Sequence, residues 1–166
     1  MLRKLGIIAV LSLIVTALAV VPAFAVAPTS TTTTGGLHYC NDVANNPNLT
    51  IGSNSLNVTG TVCGAGRTAT ATLTADVSAT AGCITPSDAN RPRGLQRVQT
   101  TTIASETFNT RQGRGSFNLT TDPITVEDFD FSCPSANMTE VLVSGPTFSN
   151  IVLTVESQTG TITSRF

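Results

Sequence analysis

Four carboxylates fall in one short stretch of this 166-residue chain: Asp122, Glu127, Asp128 and Asp130. Hard oxygen ligands of this kind hold calcium, and Asp128 and Asp130, two positions apart on a strand, would share a face with Asp122 at its rim. The spacing is not that of an EF-hand, because no D-x-D-x-D-G run is present. Calcium also takes about six or more oxygens, and here only the acids are visible. Glu127, Asp128, Asp130 and Glu140 would equally supply the carboxylate pair that histidine-free hydrolysis needs. The simpler reading, and the one preferred, is a solvated strand face, where most acids sit. His38 is the only histidine, and no G-x-S-x-G occurs, so neither a Ser-His-Asp nor a Cys-His pair has support. No catalytic residue, no metal and no cofactor is expected. Arg91, Arg93 and Arg97 are the candidate binding residues, able to grip a carboxylate, sulfate or phosphate on a partner. A solvated loop accounts for them more simply.

Four cysteines, at 40, 63, 83 and 133, suit disulfides in an exported chain. A zinc site would want close pairs, and the spacings are 23, 20 and 50. Three connectivities are open. Cys40–Cys63 with Cys83–Cys133 is favoured, because Cys83 and Cys133 each close a strand and precede a proline-containing loop, while Cys40 stands just before the first strand. Four N-x-[ST] sequons, at Asn48, Asn57, Asn118 and Asn137, are about what composition alone produces.

The elements that position these residues follow from the pattern. Arg3 and Lys4, the apolar run Leu5–Val21 and the small-x-small end Ala23-Phe24-Ala25 read as a signal peptide over 1–25, cleaved after Ala25. An uncleaved anchor is the rival. The remainder keeps seven arginines, ten acids and no lysine, a net charge of −3. Such a chain is a poor nucleic-acid binder and a poor electrostatic ligand for membranes. Its 141 residues include 28 threonines and 13 serines, and threonine favours pleated, half-exposed surface. Residues 26–39, with the run Thr31–Thr34, read as a flexible Thr-rich leader.

From Leu49 onward the period is two. Arg67–Cys83 alternates eight times, with Ala69, Ala71, Leu73, Ala75, Val77, Ala79, Ala81 and Cys83 on one face and mainly threonine on the other. A helix would scatter those alanines around its circumference. Ile84–Gln96, with two prolines and a glycine, reads as a long surface loop. Val126–Cys133 reads as a strand with Phe129 and Phe131 inward. Gly145-Pro146 and Thr159-Gly160 read as breaks between the last strands.

Eight or nine strands without a helix predict an all-β antiparallel β-sandwich over 40–166, immunoglobulin-like, with a jelly roll or small barrel as the alternative. The signal end Ala23-Phe24-Ala25, the opening Asn48-Leu49-Thr50-Ile51, the strand Phe117-Asn118-Leu119-Thr120-Thr121 and Cys133-Pro134 together resemble small exported, Thr-rich, immunoglobulin-like β proteins of bacteria. That resemblance implies a fold and attaches no activity. The expected function is a non-catalytic secreted module that binds an extracellular protein or a surface polymer. A secreted inhibitor or hydrolase using loop residues is the alternative.

Overall fold

The computed structural model describes residues 24–44 and 46–166. Strand β6, Thr68–Ile84, sets the frame. Its alternation buries Ala69, Ala71, Leu73, Ala75, Val77, Ala79 and Ala81 and leaves the threonines half-exposed. Small inward residues let a second sheet of larger ones approach closely, and Leu49, Leu56, Val58, Val62, Phe117 and Leu119 fill that side of the main core.

Two antiparallel sheets result. In sheet A, β1 (Phe24–Val26) pairs with β4 (Asn48–Ile51), which pairs with β5 (Leu56–Cys63). β8 (Gly115–Thr120) lies along the other edge of β5, and the short β3 (His38–Tyr39) meets the end of β5. Between β4 and β3 the side chain of Asn46 stands in for a strand: its Oδ1 accepts from Thr61 N and its Nδ2 donates to Thr61 O. Sheet B runs β2 (Ser30–Gly35), β10 (Gly160–Arg165), β9 (Thr139–Ser157), β6, β7 (Arg93–Asn109). The expected β-sandwich is therefore the observed fold. The disulfides are Cys40–Cys63 and Cys83–Cys133, the favoured pairing, and they suit an oxidising environment.

The sheets differ in length. β6, β7 and β9 have 17, 17 and 19 residues, whereas the longest strand of sheet A has eight. At about 3.3 Å per residue, sheet B outruns sheet A by roughly 30 Å. That overhang is an arm of three strands. Its inner face, Val77, Ala79, Ala81 and Val98, is covered by Ile124 and Phe129 from the segment after β8, which Cys83–Cys133 ties down.

Of the expected signal, residues 1–23 lie outside the described residues, and Phe24 and Ala25 begin β1. Four other sequence expectations change. The leader 26–39 is not a flexible tail: Ser30–Gly35 pairs with all of β10, and Leu37 is buried. Backbone bonds to an open edge order this stretch although its side chains are all exposed. Gly35 permits the turn out of β2, with φ +74 and no room for a Cβ against the Thr159 carbonyl.

The long loop 84–96 shrinks to residues 85–92, because β7 begins at Arg93. Val126–Cys133 is not a strand. Val126–Asp128 forms a 3₁₀ turn, capped where Asp128 Oδ2 accepts from Thr125 N at 2.7 Å and Thr125 Oγ1 at 3.0 Å. Gly145-Pro146 does not end a strand but lies inside β9. β10 pairs only with Val152–Ser157, so this part of β9 is an edge, where proline costs no ladder bond.

Tyr39 shows how tightly β3 closes the sandwich. Its hydroxyl lies 3.0 Å from Ser164 Oγ, and burial pushes its pKa from 10.0 up to about 12, against a smaller lowering by the Ser164 bond. The folded state thus favours the neutral phenol. Its contribution to stability is complete below pH 10.0 and fades as pH rises toward 12. Tyr39 is the only tyrosine, so phenolate absorbance reports it alone. A folded-state midpoint near 12 is expected, and one near 10.0 would mean that the ring is not buried there.

Candidate functional site

The outward face of sheet B is a grid. Pairing across its five strands aligns Thr107, Thr70, Glu156, Thr161 and Thr34 in one row. The next row is Ser105, Thr72, Thr154, Thr163 and Thr32, and the next Ile103, Thr74, Val152, Arg165 and Ser30. Eleven of these fifteen positions carry a hydroxyl, and two are charged. Some hydroxyls bond each other, as in Thr70–Thr107 at 2.9 Å and Thr72–Ser105 at 3.0 Å. Single hydroxyls both donate and accept, so such pairs keep capacity for a ligand.

At the root of the arm the grid is broken. Thr74 pairs with Val152 but Asp76 with Ser149, so β9 carries one residue more than β6 across this step. The extra length is a β-bulge, and Asn150 within it has φ 49, uncommon for any residue but glycine. The bulge turns Asn150 toward β6, where its Nδ2 donates to Asp76 Oδ2 at 2.7 Å. Around this pair lies an open cleft of about 450 Å³, lined by Asp76, Val77, Ser78, Gln99, Thr100, Thr101, Ser149 and Asn150. Apart from Val77 and Thr100, which pair with each other on the inner face, its lining carries one carboxylate, two side-chain amides and three hydroxyls. Asp76 Oδ1 and Asn150 Oδ1 remain to accept from ligand hydroxyls, and the Gln99 amide and the hydroxyls can donate. This set suits a neutral polyol.

The residues singled out in the sequence are spread elsewhere. Asp122, Glu127, Asp128 and Asp130 follow β8 along one segment, yet among the described residues no group of three His, Cys, Asp or Glu converges to hold a metal ion. Asp128 is occupied in the Thr125 cap, and Glu140 Oε1 accepts from Cys133 N at 3.1 Å. Arg91 and Arg93 line a cleft at the arm tip with Thr85, Ser87, Asp88 and Met138, and Arg93 meets Asp88 at 3.3 Å. Arg97 stands apart from them on β7, opposite Thr80. His38 is in β3, its Nδ1 3.0 Å from Gly36 O.

The sequons have a structural cause. Asn48, Thr59 and Asn118 form one row across β4, β5 and β8, and Thr50, Asn57 and Thr120 the next. Alternation puts both residues of the N-x-T at 48, 57 and 118 on the wet face of sheet A, whereas Asn137 lies just before β9 of sheet B. Asn57 Nδ2 is spent on Asn118 Oδ1 at 2.7 Å, Leu119 O at 3.0 Å and Thr120 Oγ1 at 2.8 Å. Asn57 and Asn118 thus brace the sheet.

The Asp76 cleft was not anticipated. One signal pointed to it: Asp76 is the single charge among the polar positions of β6, where threonine or serine stands otherwise. Comparison with protein-family models, curated proteins and solved structures finds no match for this chain.

Proposed function

We propose that this chain is a non-catalytic, secreted module, immunoglobulin-like in its layering. It holds a neutral, hydroxyl-rich polymer of the cell surface or matrix against the outer face of sheet B, with the Asp76 cleft as the anchoring subsite. The observation that carries this reading is the placement of Asp76 and Asn150, paired at 2.7 Å beside a bulge, within an otherwise hydroxyl-dominated face. Sheet twist narrows the ligand further. Neighbouring strands rotate by roughly 20–25°, so five strands do not make a plane. A rigid crystalline surface would touch only two or three of them, whereas a flexible chain can follow the twist. The inhibitor alternative keeps a shorter element, since the expected loop 84–96 is reduced to residues 85–92.

The test is retention on insoluble neutral polysaccharide, with a cell-wall fraction alongside. The parent chain is expected to be retained, and Asp76→Ala to weaken binding about ten- to hundredfold, the usual loss for a hydrogen bond to a charged group. Thr154→Lys, on the grid but outside the cleft, should also weaken it. The Tyr39 titration certifies folding of each variant. No retention of the parent, or retention indifferent to both substitutions, would refute the reading.

A further inference from the structure

Where sheet B outruns sheet A it has two bare edges, and they are built differently. The β9 edge is guarded: Gly145-Pro146 interrupts it, its register against β6 shifts at three places, and Asn150 adds a positive φ. The β7 edge is not. From Gln96 to Asn109 it pairs with β6 in unbroken register, and Arg93–Asn109 contains neither proline nor lysine. Its lower end is sheltered by β8, where Asn118 N donates to Glu106 Oε2 at 3.4 Å and Phe108 packs on Phe117. Above that, from Arg93 to Ser105, the outer backbone edge is open. Leu95 and Ile103, which stand on this stretch, are 59% and 64% exposed.

We infer that β7 pairs antiparallel with β7 of a second copy, about a two-fold axis at Gln99. Two properties of the strand select that register. First, with Gln99 opposite itself, Leu95 of each copy falls opposite Ile103 of the other, on the same face, so both exposed apolar side chains find a partner. A shift by one residue would set the outer face of one copy against the inner face of the other. A centre at Ile103 would leave Leu95 facing residue 111, beyond the strand. Second, the same register puts Arg97 of one copy opposite Thr101 of the other. Thr101 pairs on its far side with Asp76, so Arg97 lies about two strand spacings, roughly 10 Å, from that carboxylate. The contact is isologous and closes at two copies. It joins two five-stranded sheets into one of ten, and Gln99 and Thr101, which line the Asp76 cleft, bring both clefts beside the axis. The pairing does not depend on what the clefts bind.

Residues opposite themselves on a two-fold axis can be linked by a disulfide. Gln99→Cys, treated with a mild oxidant, is expected to give the covalent dimer as the predominant species, with both native disulfides intact by mass. Thr107→Cys, on the same strand but past the paired stretch, is expected to stay monomeric under the same treatment. Light scattering should find dimer for the parent chain and monomer for Ile103→Lys, whose exposed site tolerates the charge in the isolated fold. Equal cross-linking at 99 and 107 would overturn the pairing. So would a parent chain that scatters as a monomer at its highest soluble concentration.

Discussion

Leu73→Ala is expected to destabilise the fold by about 3–5 kcal/mol, near the upper end for truncating a buried leucine. Leu73 is fully buried in β6, with Leu153 of β9 and Ala104 of β7 directly opposite it. Its neighbours along the strand face are Ala71 and Ala75. Alanines have no rotamers with which to fill a void, and the surrounding backbone is pinned in a ladder on both sides. The cavity therefore stays open, and its cost adds to the lost transfer energy. Against a total stability of roughly 5–15 kcal/mol, this removes a large fraction. Denaturant unfolding should show a lower midpoint with an unchanged slope. Thr72→Ala, one position away on the wet face, should cost about 0.5 kcal/mol. A loss below about 1 kcal/mol for Leu73→Ala would show that the sheets do not pack at this point.

Removing Cys83–Cys133 by a double change to serine is expected to cost about 4 kcal/mol, against about 3 for Cys40–Cys63, because the closed loops span 50 and 23 residues. The loss should also be uneven. Cys83–Cys133 holds the segment after β8 over the arm, where the buried apolar contacts are Ile124 and Phe129 against Val77, Ala79, Ala81 and Val98. Hydrogen exchange in the double variant should speed up at Val77–Ala81 and across 124–131, while Leu153, Val155 and Leu56 in the main core stay protected. Protection lost evenly over both clusters would contradict the division of the core into two parts.

Much of this could be read from residue order, for reasons that differ by element. The alternation of Arg67–Cys83 left one solution, because only a strand puts every alanine on one side. The cysteine pairing followed from which cysteines ended strands. Thr31–Thr34 reads as a tail because a strand of polar residues, held by the backbone ladder and a few hydroxyl bonds, has no inward face to leave a mark. Phe129 and Phe131 mimicked a strand, but the Asp128 cap of Thr125 set the local backbone instead. Gly145-Pro146 reads as a break because the sequence does not tell that β10 stops short of it. The Asp76 cleft needed the register of β6, β7 and β9 together, and a bulge on one strand of three is invisible in any one of them. Of Arg91, Arg93 and Arg97, neighbours in sequence, the first two share the arm-tip cleft, while Arg97 lies farther along β7 opposite Thr80.

The partnership of β2 with β10 bears on the order in which the molecule assembles. Ser30 lies opposite Arg165, and the neighbouring bond from Thr29 to Arg165 spans 136 residues. Few contacts in a domain of this size are less local, and closing them places the chain among the slow, millisecond-to-second folders. β2 is the first strand of sheet B to emerge during synthesis and the last to find its place. Throughout that wait it is an unpaired segment with high strand propensity, the usual seed of aggregation. Ser30–Gly35 contains only serine, threonine and glycine, so while it stands alone it offers other nascent chains no apolar surface to adhere to.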